Sequence, residues 1–99
     1  MEPTAERNDR SEAAEARRLL HAAVGARIRD VRLSRDLGQA ECARGAGIDT
    51  SSLFRIERTG QNLTVETLAR LALSLGVPME ELLTGVFPDP GIVERRTRG

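Results

Sequence analysis

The sequence predicts an all-α domain, a compact bundle of five helices. Three observations carry that expectation. Apolar residues recur at spacings of three and four in two long segments, Leu20, Val24, Ile28, Val31 and then Val65, Leu68, Leu71, Ala72, Leu75. Glycines stand where such segments stop, at 38, 47 and 76. No stretch alternates apolar and polar residues as a half-buried strand would, and no internal repeat is visible.

The elements follow in chain order. Residues 1–10 are polar and acidic and read as a disordered arm. Ser11 is placed to cap a first helix that runs to about Arg35. Gly25 weakens its middle, so the run is either one kinked helix or two. Leu37-Gly38 ends it, and residues 39–46 make a short second helix. Gly47 breaks that helix, because glycine enters the left-handed turn conformation without a steric cost. Asp49 or Thr50 then caps a third helix over 50–58. Thr64 caps a fourth, which Gly76 closes. Pro78 opens a fifth, where its missing N–H costs nothing, and Glu80 and Glu81 favour the positive end of the helix. After Gly85 the chain has no period. The expected organisation is an arm at 1–10, a domain at 11–85 and a tail at 86–99.

Composition bounds the function class. A chain of 99 residues supports one small core and little room for a substrate cleft, which argues against an enzyme. There is no Gly-rich phosphate loop, no Ser-His-Asp set and no pair of carboxylates in a matching pattern. The single cysteine, Cys42, excludes an intrachain disulfide and any cysteine-based metal cluster, and reads as a small core residue. His21 has no partner cluster and reads as a surface residue, so neither metal nor cofactor is expected. No apolar run is long enough for a membrane span and no signal peptide is visible, so a cytoplasmic protein that meets the nucleoid is expected.

The formal net charge is zero, but its distribution is uneven. Residues 1–16 carry −3, residues 17–58 carry +4 and residues 59–94 carry −4. The positive charge therefore falls on residues 17–58, the segment spanning the first three helices, where a polyanion would be neutralised locally. All fifteen basic residues are Arg, which suits phosphate and guanine contacts.

Residues 38–58 carry the most chemistry. Two short helices crossing steeply need small residues where their backbones approach, and Ala43 and Ala46 supply them. Cys42, Ile48, Leu53 and Ile56 supply the apolar side. Burying Leu53 and Ile56 turns Thr50, Ser51, Ser52 and Arg55 outward. Short hydroxyls at a helix start with an Arg one turn later are the donors and acceptors that reading base edges in a major groove requires. This is the pattern of a helix-turn-helix.

The stretch IRDVRLSRDLGQAECARGAGIDTSSLFRIER, with LTVETLARLALSLGV after it, resembles the helix-turn-helix family of phage repressors, Cro-like proteins and xenobiotic-response-element regulators. The resemblance covers about residues 20–84. It implies a five-helix bundle whose third helix is the recognition helix. It further implies base contacts from Thr50, Ser51 and Arg55, with Ser52 beside them. Gln39, Arg44, Arg58 and the loop residues Thr59, Gln61 and Asn62 would hold phosphates, Gln39 also bracing the recognition helix. Arg32 and Glu57 match a pair that forms a partly buried salt bridge in some members. The sequence departs from the family pattern at Thr59-Gly60, where the glycine is displaced by one position, at Leu63-Thr64, where Pro-Ser is common, and at Cys42, where a larger aliphatic is common.

The expected activity is that of a homodimeric repressor on a double-stranded operator with inverted-repeat symmetry. Its dimer contact is expected at Leu82, Leu83, Val86 and Phe87, extended by Ile92 and Val93. A restriction-modification controller is an alternative within that class. A different class is a protein-binding module, such as a toxin-neutralising antitoxin or an anti-activator, using the acidic ends. For the arginines 27, 29 and 35 a solvated face of the first helix is the expected role.

Overall fold

The computed structural model describes residues 5–93, with side chains from Ser11 onward. Four α-helices are present among the described residues: α1 (Ala5–Ser34), α2 (Gln39–Ala46), α3 (Thr50–Thr59) and α4 (Val65–Leu75). Two short 3-10 helices follow, Met79–Leu83 and Pro90–Ile92. No strand occurs among the described residues.

The all-α class is as the sequence predicts, but the start of the first helix and the type of the fifth differ. The helix α1 begins at Ala5, so residues 5–10 belong to it and Ser11 is not its cap. Nothing between Ala5 and Gly25 is a Gly or Pro that would break a helix, and Ala, Glu and Arg favour it. Residues 1–4 of the expected arm and 94–99 of the tail lie outside the described residues. The fifth helix is a single 3-10 segment rather than an α-helix. Its carbonyls bond i+3 donors, Glu81 N–H to Pro78 O and Thr84 N–H to Glu81 O. Arg27 Nε also donates to the Glu81 carbonyl at 2.8 Å, which competes with any α-helical continuation.

The core joins α1 (Val24, Ile28, Val31), α2 (Cys42, Ala43, Ala46), α3 (Leu53, Ile56), α4 (Leu71, Ala72, Leu75) and Leu82. Val65 was expected in this set and is instead 74% exposed, since α4 begins one turn before its packed stretch. The stop signals at Gly47 and Gly76 act as expected, with both residues left-handed at φ 70° and with N–H groups returned to the preceding turn. Thr64 caps α4 by accepting from Thr67 N–H at 3.0 Å. Asp49 occupies the N-cap position of α3, but its side chain makes no capping bond.

Gly25 neither splits nor ends α1. It is the point where α1 crosses α3: a Cβ there would overlap the Ile56 carbonyl oxygen. Gly60 answers from the other side, since a Cβ on it would overlap the His21 carbonyl, and its φ of 73° is left-handed. A residue that lowers helix propensity therefore serves close packing of two backbones.

Candidate nucleic-acid interface

The pose of α3 is fixed by three attachments. The turn at Gly47 passes directly to Ile48, whose N–H bonds the Ala43 carbonyl at 3.0 Å. The Gly25–Gly60 contact seats the end of α3 on α1. The third attachment is ionic. Arg32 and Glu57 are both buried and pair through two hydrogen bonds, Nε to Oε2 at 2.6 Å and Nη2 to Oε1 at 3.0 Å. Gln39 Nε2 donates to the same Oε1 at 3.0 Å, and Arg32 Nη1 donates to the Leu37 carbonyl at 2.7 Å. The end of α1, the start of α2 and the body of α3 thus meet on one carboxylate. No buried side-chain nitrogen or oxygen lacks a partner among the described residues. The hydrogen bonds it donates to Glu57 hold the Arg32 guanidinium further into its charged form.

This pose leaves one face of α3 open. Thr50, Ser51, Phe54, Arg55, Arg58 and Thr59 are exposed there, while Leu53, Ile56 and Glu57 are turned inward. Residues four apart align along a helix, so the face carries two rows, Thr50–Phe54–Arg58 and Ser51–Arg55. Ser52 is half-buried at the edge, in a shallow cleft with Arg55, Gln61 and Asn62. The Thr59 hydroxyl is internally engaged: it donates to the Arg55 carbonyl at 3.0 Å and accepts from Gln61 N–H at 3.2 Å. Asn62 is left-handed at φ 61°, and both it and Gln61 remain exposed. Arg44 is exposed in the last turn of α2. Gln39 is half-buried with its amide nitrogen committed to Glu57, and Gly38 before it offers no side-chain cap to the first N–H groups of α2.

Some residues stand elsewhere than the sequence suggested. Leu82, expected in a dimer contact, is wholly buried in the chain's own core, because the 3-10 turn rotates it inward. Val86 and Ile92 are half-buried, while Leu83, Phe87 and Val93 are exposed. Arg27 is no solvated residue: it binds the Glu81 carbonyl and, at 3.2 Å, the Glu81 carboxylate. Cys42 is fully buried, and burial pushes its thiol up from the ordinary value. Phe54 was missed as part of the face. Its spacing of four from both Thr50 and Arg58 is the signal that places it there.

A family model described as helix-turn-helix matches residues 28–82. The chain belongs to the helix-turn-helix family. Among characterised relatives, this helix-turn-helix protein is 40% identical over 58 residues to the transcriptional repressor RstR of the cryptic phage CTXphi from Vibrio cholerae. That match covers 59% of this chain and 52% of the relative, so the chain spans about half the length of that protein. Among solved structures it is similar to the restriction-modification controller protein C.AhdI from Aeromonas hydrophila, with 30% identity and a TM-score of 0.59 over 62% of this chain and 92% of that one. It is also similar to the clp gene regulator ClgR from C. glutamicum, with 26% identity and a TM-score of 0.62 over 65% and 83% of the two chains. The relatives named here are regulators of gene expression or controllers of restriction-modification, in line with the resemblance read from residues 20–84.

Proposed function

We propose that this chain is a sequence-specific double-stranded DNA-binding transcriptional regulator, a homodimeric repressor that lays α3 in the major groove, and not an enzyme. The observation that carries the reading is the open face of α3, largely polar and cationic, held by a fully satisfied buried ion pair within the stretch that matches the helix-turn-helix family. A rigid helix with short hydroxyls at its N-terminus and arginines beyond is suited to the groove floor and its rims. Thr50, Ser51 and Arg55 are the base readers, and Ser52 supports them from the cleft edge. Arg44 and Arg58 neutralise phosphates, and the loop at Gln61 and Asn62 holds them by hydrogen bonds. Gln39 braces α3 through Glu57 and offers its own N–H at the start of α2 to a phosphate.

Two subunits would place their recognition helices about 34 Å apart and read an inverted repeat. Leu83 and Phe87, with Val93, are the exposed apolar residues near the end of the domain that a second copy would cover. Selection of bound duplexes from a random pool at fixed salt tests the reading. The expected product is an enriched inverted repeat with half-sites one helical turn apart. A pool that stays random, together with recovery of a stoichiometric protein partner from the host, would overturn it in favour of a protein-binding module.

A further inference from the structure

The open face of α3 holds one residue that neither phosphate binding nor hydrogen-bonded base reading uses. Phe54 is 46% exposed in the middle of the row Thr50–Phe54–Arg58. It is one of two aromatic residues in the whole chain, the other being Phe87. Its neighbours on the face are hydroxyls and guanidinium groups, not apolar side chains that could belong to a protein–protein patch. Arg58 lies over its ring, with the guanidinium carbon 5.5 Å from the ring centroid. That arrangement covers one side of the ring with a cation and leaves part of the apolar surface facing outward.

In the major groove the apolar group offered by the base edges is the C5-methyl of thymine. A half-exposed ring beside the base-reading residues, with a phosphate-seeking Arg lying over it, matches a thymine methyl at the groove wall and a phosphate just outside it. We propose that Phe54 is a specificity-determining residue that recognises thymine through its methyl group, and that its ring also sets the direction in which Arg58 leaves the helix. The inference rests on the DNA-binding reading above and adds to it an apolar element of recognition. It makes thymine a preferred base at one position of each half-site, although no hydrogen bond from Phe54 could specify it.

The test uses the duplex enriched from the random pool, with each thymine in turn replaced by deoxyuridine, which removes only the methyl. The full chain and its Phe54→Ala and Phe54→Leu variants are titrated on every duplex at one salt concentration. One thymine-to-uracil change per half-site is expected to weaken the parent protein about fourfold, the ~0.8 kcal/mol of one buried methyl. Phe54→Ala should bind the thymine and uracil duplexes equally, whatever its overall affinity, while Phe54→Leu should keep part of the difference. The ratio separates the methyl contact from any loss through Arg58, and the half-exposed position of the ring leaves the core intact in both variants. A parent protein indifferent to every uracil, or a Phe54→Ala variant with undiminished sensitivity, overturns the inference while leaving DNA binding standing. A change in the sedimentation of Phe54→Ala with an unchanged uracil ratio would assign the ring to a protein contact and overturn it equally. If no duplex is enriched, the DNA-binding reading itself has failed.

Discussion

Arg55 and Cys42 show how differently single residues contribute. Arg55 is exposed on the outer face of α3, and its backbone carbonyl is held by the Thr59 hydroxyl. On the proposed reading, truncating it removes groove contacts, and it does so without touching the core. Arg55→Ala should weaken specific binding by about 1–3 kcal/mol and relax the preference at one base position. Titration against duplexes varied at each position checks this, and an equal loss on random duplex would make Arg55 a phosphate contact instead. Cys42 is the opposite case, fully buried and distant from the open face in role. Burial raises its thiol above the ordinary 9.0, so the folded chain holds a proton that the unfolded chain releases. Its contribution to stability is complete below the ordinary thiol value and is lost as pH rises through the folded one. The chain has no Tyr, and all its basic side chains are Arg, so no other side chain titrates in that alkaline window. Urea unfolding at stepped pH should show stability level to about pH 8 and falling above about pH 9, the ordinary thiol range. Cys42→Ala should be less stable at neutral pH, with the alkaline fall removed.

The elements are held by contacts whose value depends on both partners. Arg32 and Glu57 are buried together, so removing one leaves the other charged and unpaired. Glu57→Ala should cost about 3–5 kcal/mol in urea unfolding, whereas replacing both residues with apolar ones of similar volume should cost far less. Gly25→Ala separates local propensity from packing. Propensity alone predicts a gain of about 1 kcal/mol in the middle of α1. The overlap with the Ile56 carbonyl predicts a loss of about 1–3 kcal/mol or more, because backbone must shift to admit the methyl. A rise in the urea midpoint would mean that α1 and α3 are not in close contact at this point. The same residue marks where sequence reading stops. Apolar spacing and caps are local signals, so α2, α3, α4 and the stops at Gly47 and Gly76 are legible directly. Gly25 is read as a weak point because its partner, the carbonyl at Ile56, lies on another helix. Leu82 is misplaced for the same reason, since a 3-10 turn and an α-helix direct that side chain differently. The start of α1 at Ala5 is hidden because a polar segment can be helical without showing an apolar stripe. The outward set on α3 is legible apart from Phe54, whose apolar character suggests core while its spacing suggests the open face.

At the scale of the whole molecule, the family match at 28–82 leaves two flanking pieces that pack on each other. The first half of α1 extends past the core, and the segment around Pro90–Ile92 lies along it, covering Ala13 and Ala16. The described body is accordingly elongated, 52 by 23 by 20 Å. This places the exposed Leu83, Phe87 and Val93 on the segment that follows the core rather than within it, where the proposed reading puts the second copy, while Leu82 stays inside. The consequence can be tested by contrasting neighbours. Changing Leu83 and Phe87 together to Asp should leave the unfolding midpoint almost unmoved, because these side chains are 45% and 87% exposed in the single chain. It should shift the species seen by sedimentation at micromolar concentration from dimer to monomer and cost most of the affinity for the inverted repeat, while a single half-site is bound as before. Leu82→Asp should instead unfold the domain, since it puts an unpaired carboxylate into a fully buried position. A parent chain that sediments as a monomer, or a Leu83/Phe87 variant that remains a dimer, would move the subunit contact away from this end of the molecule.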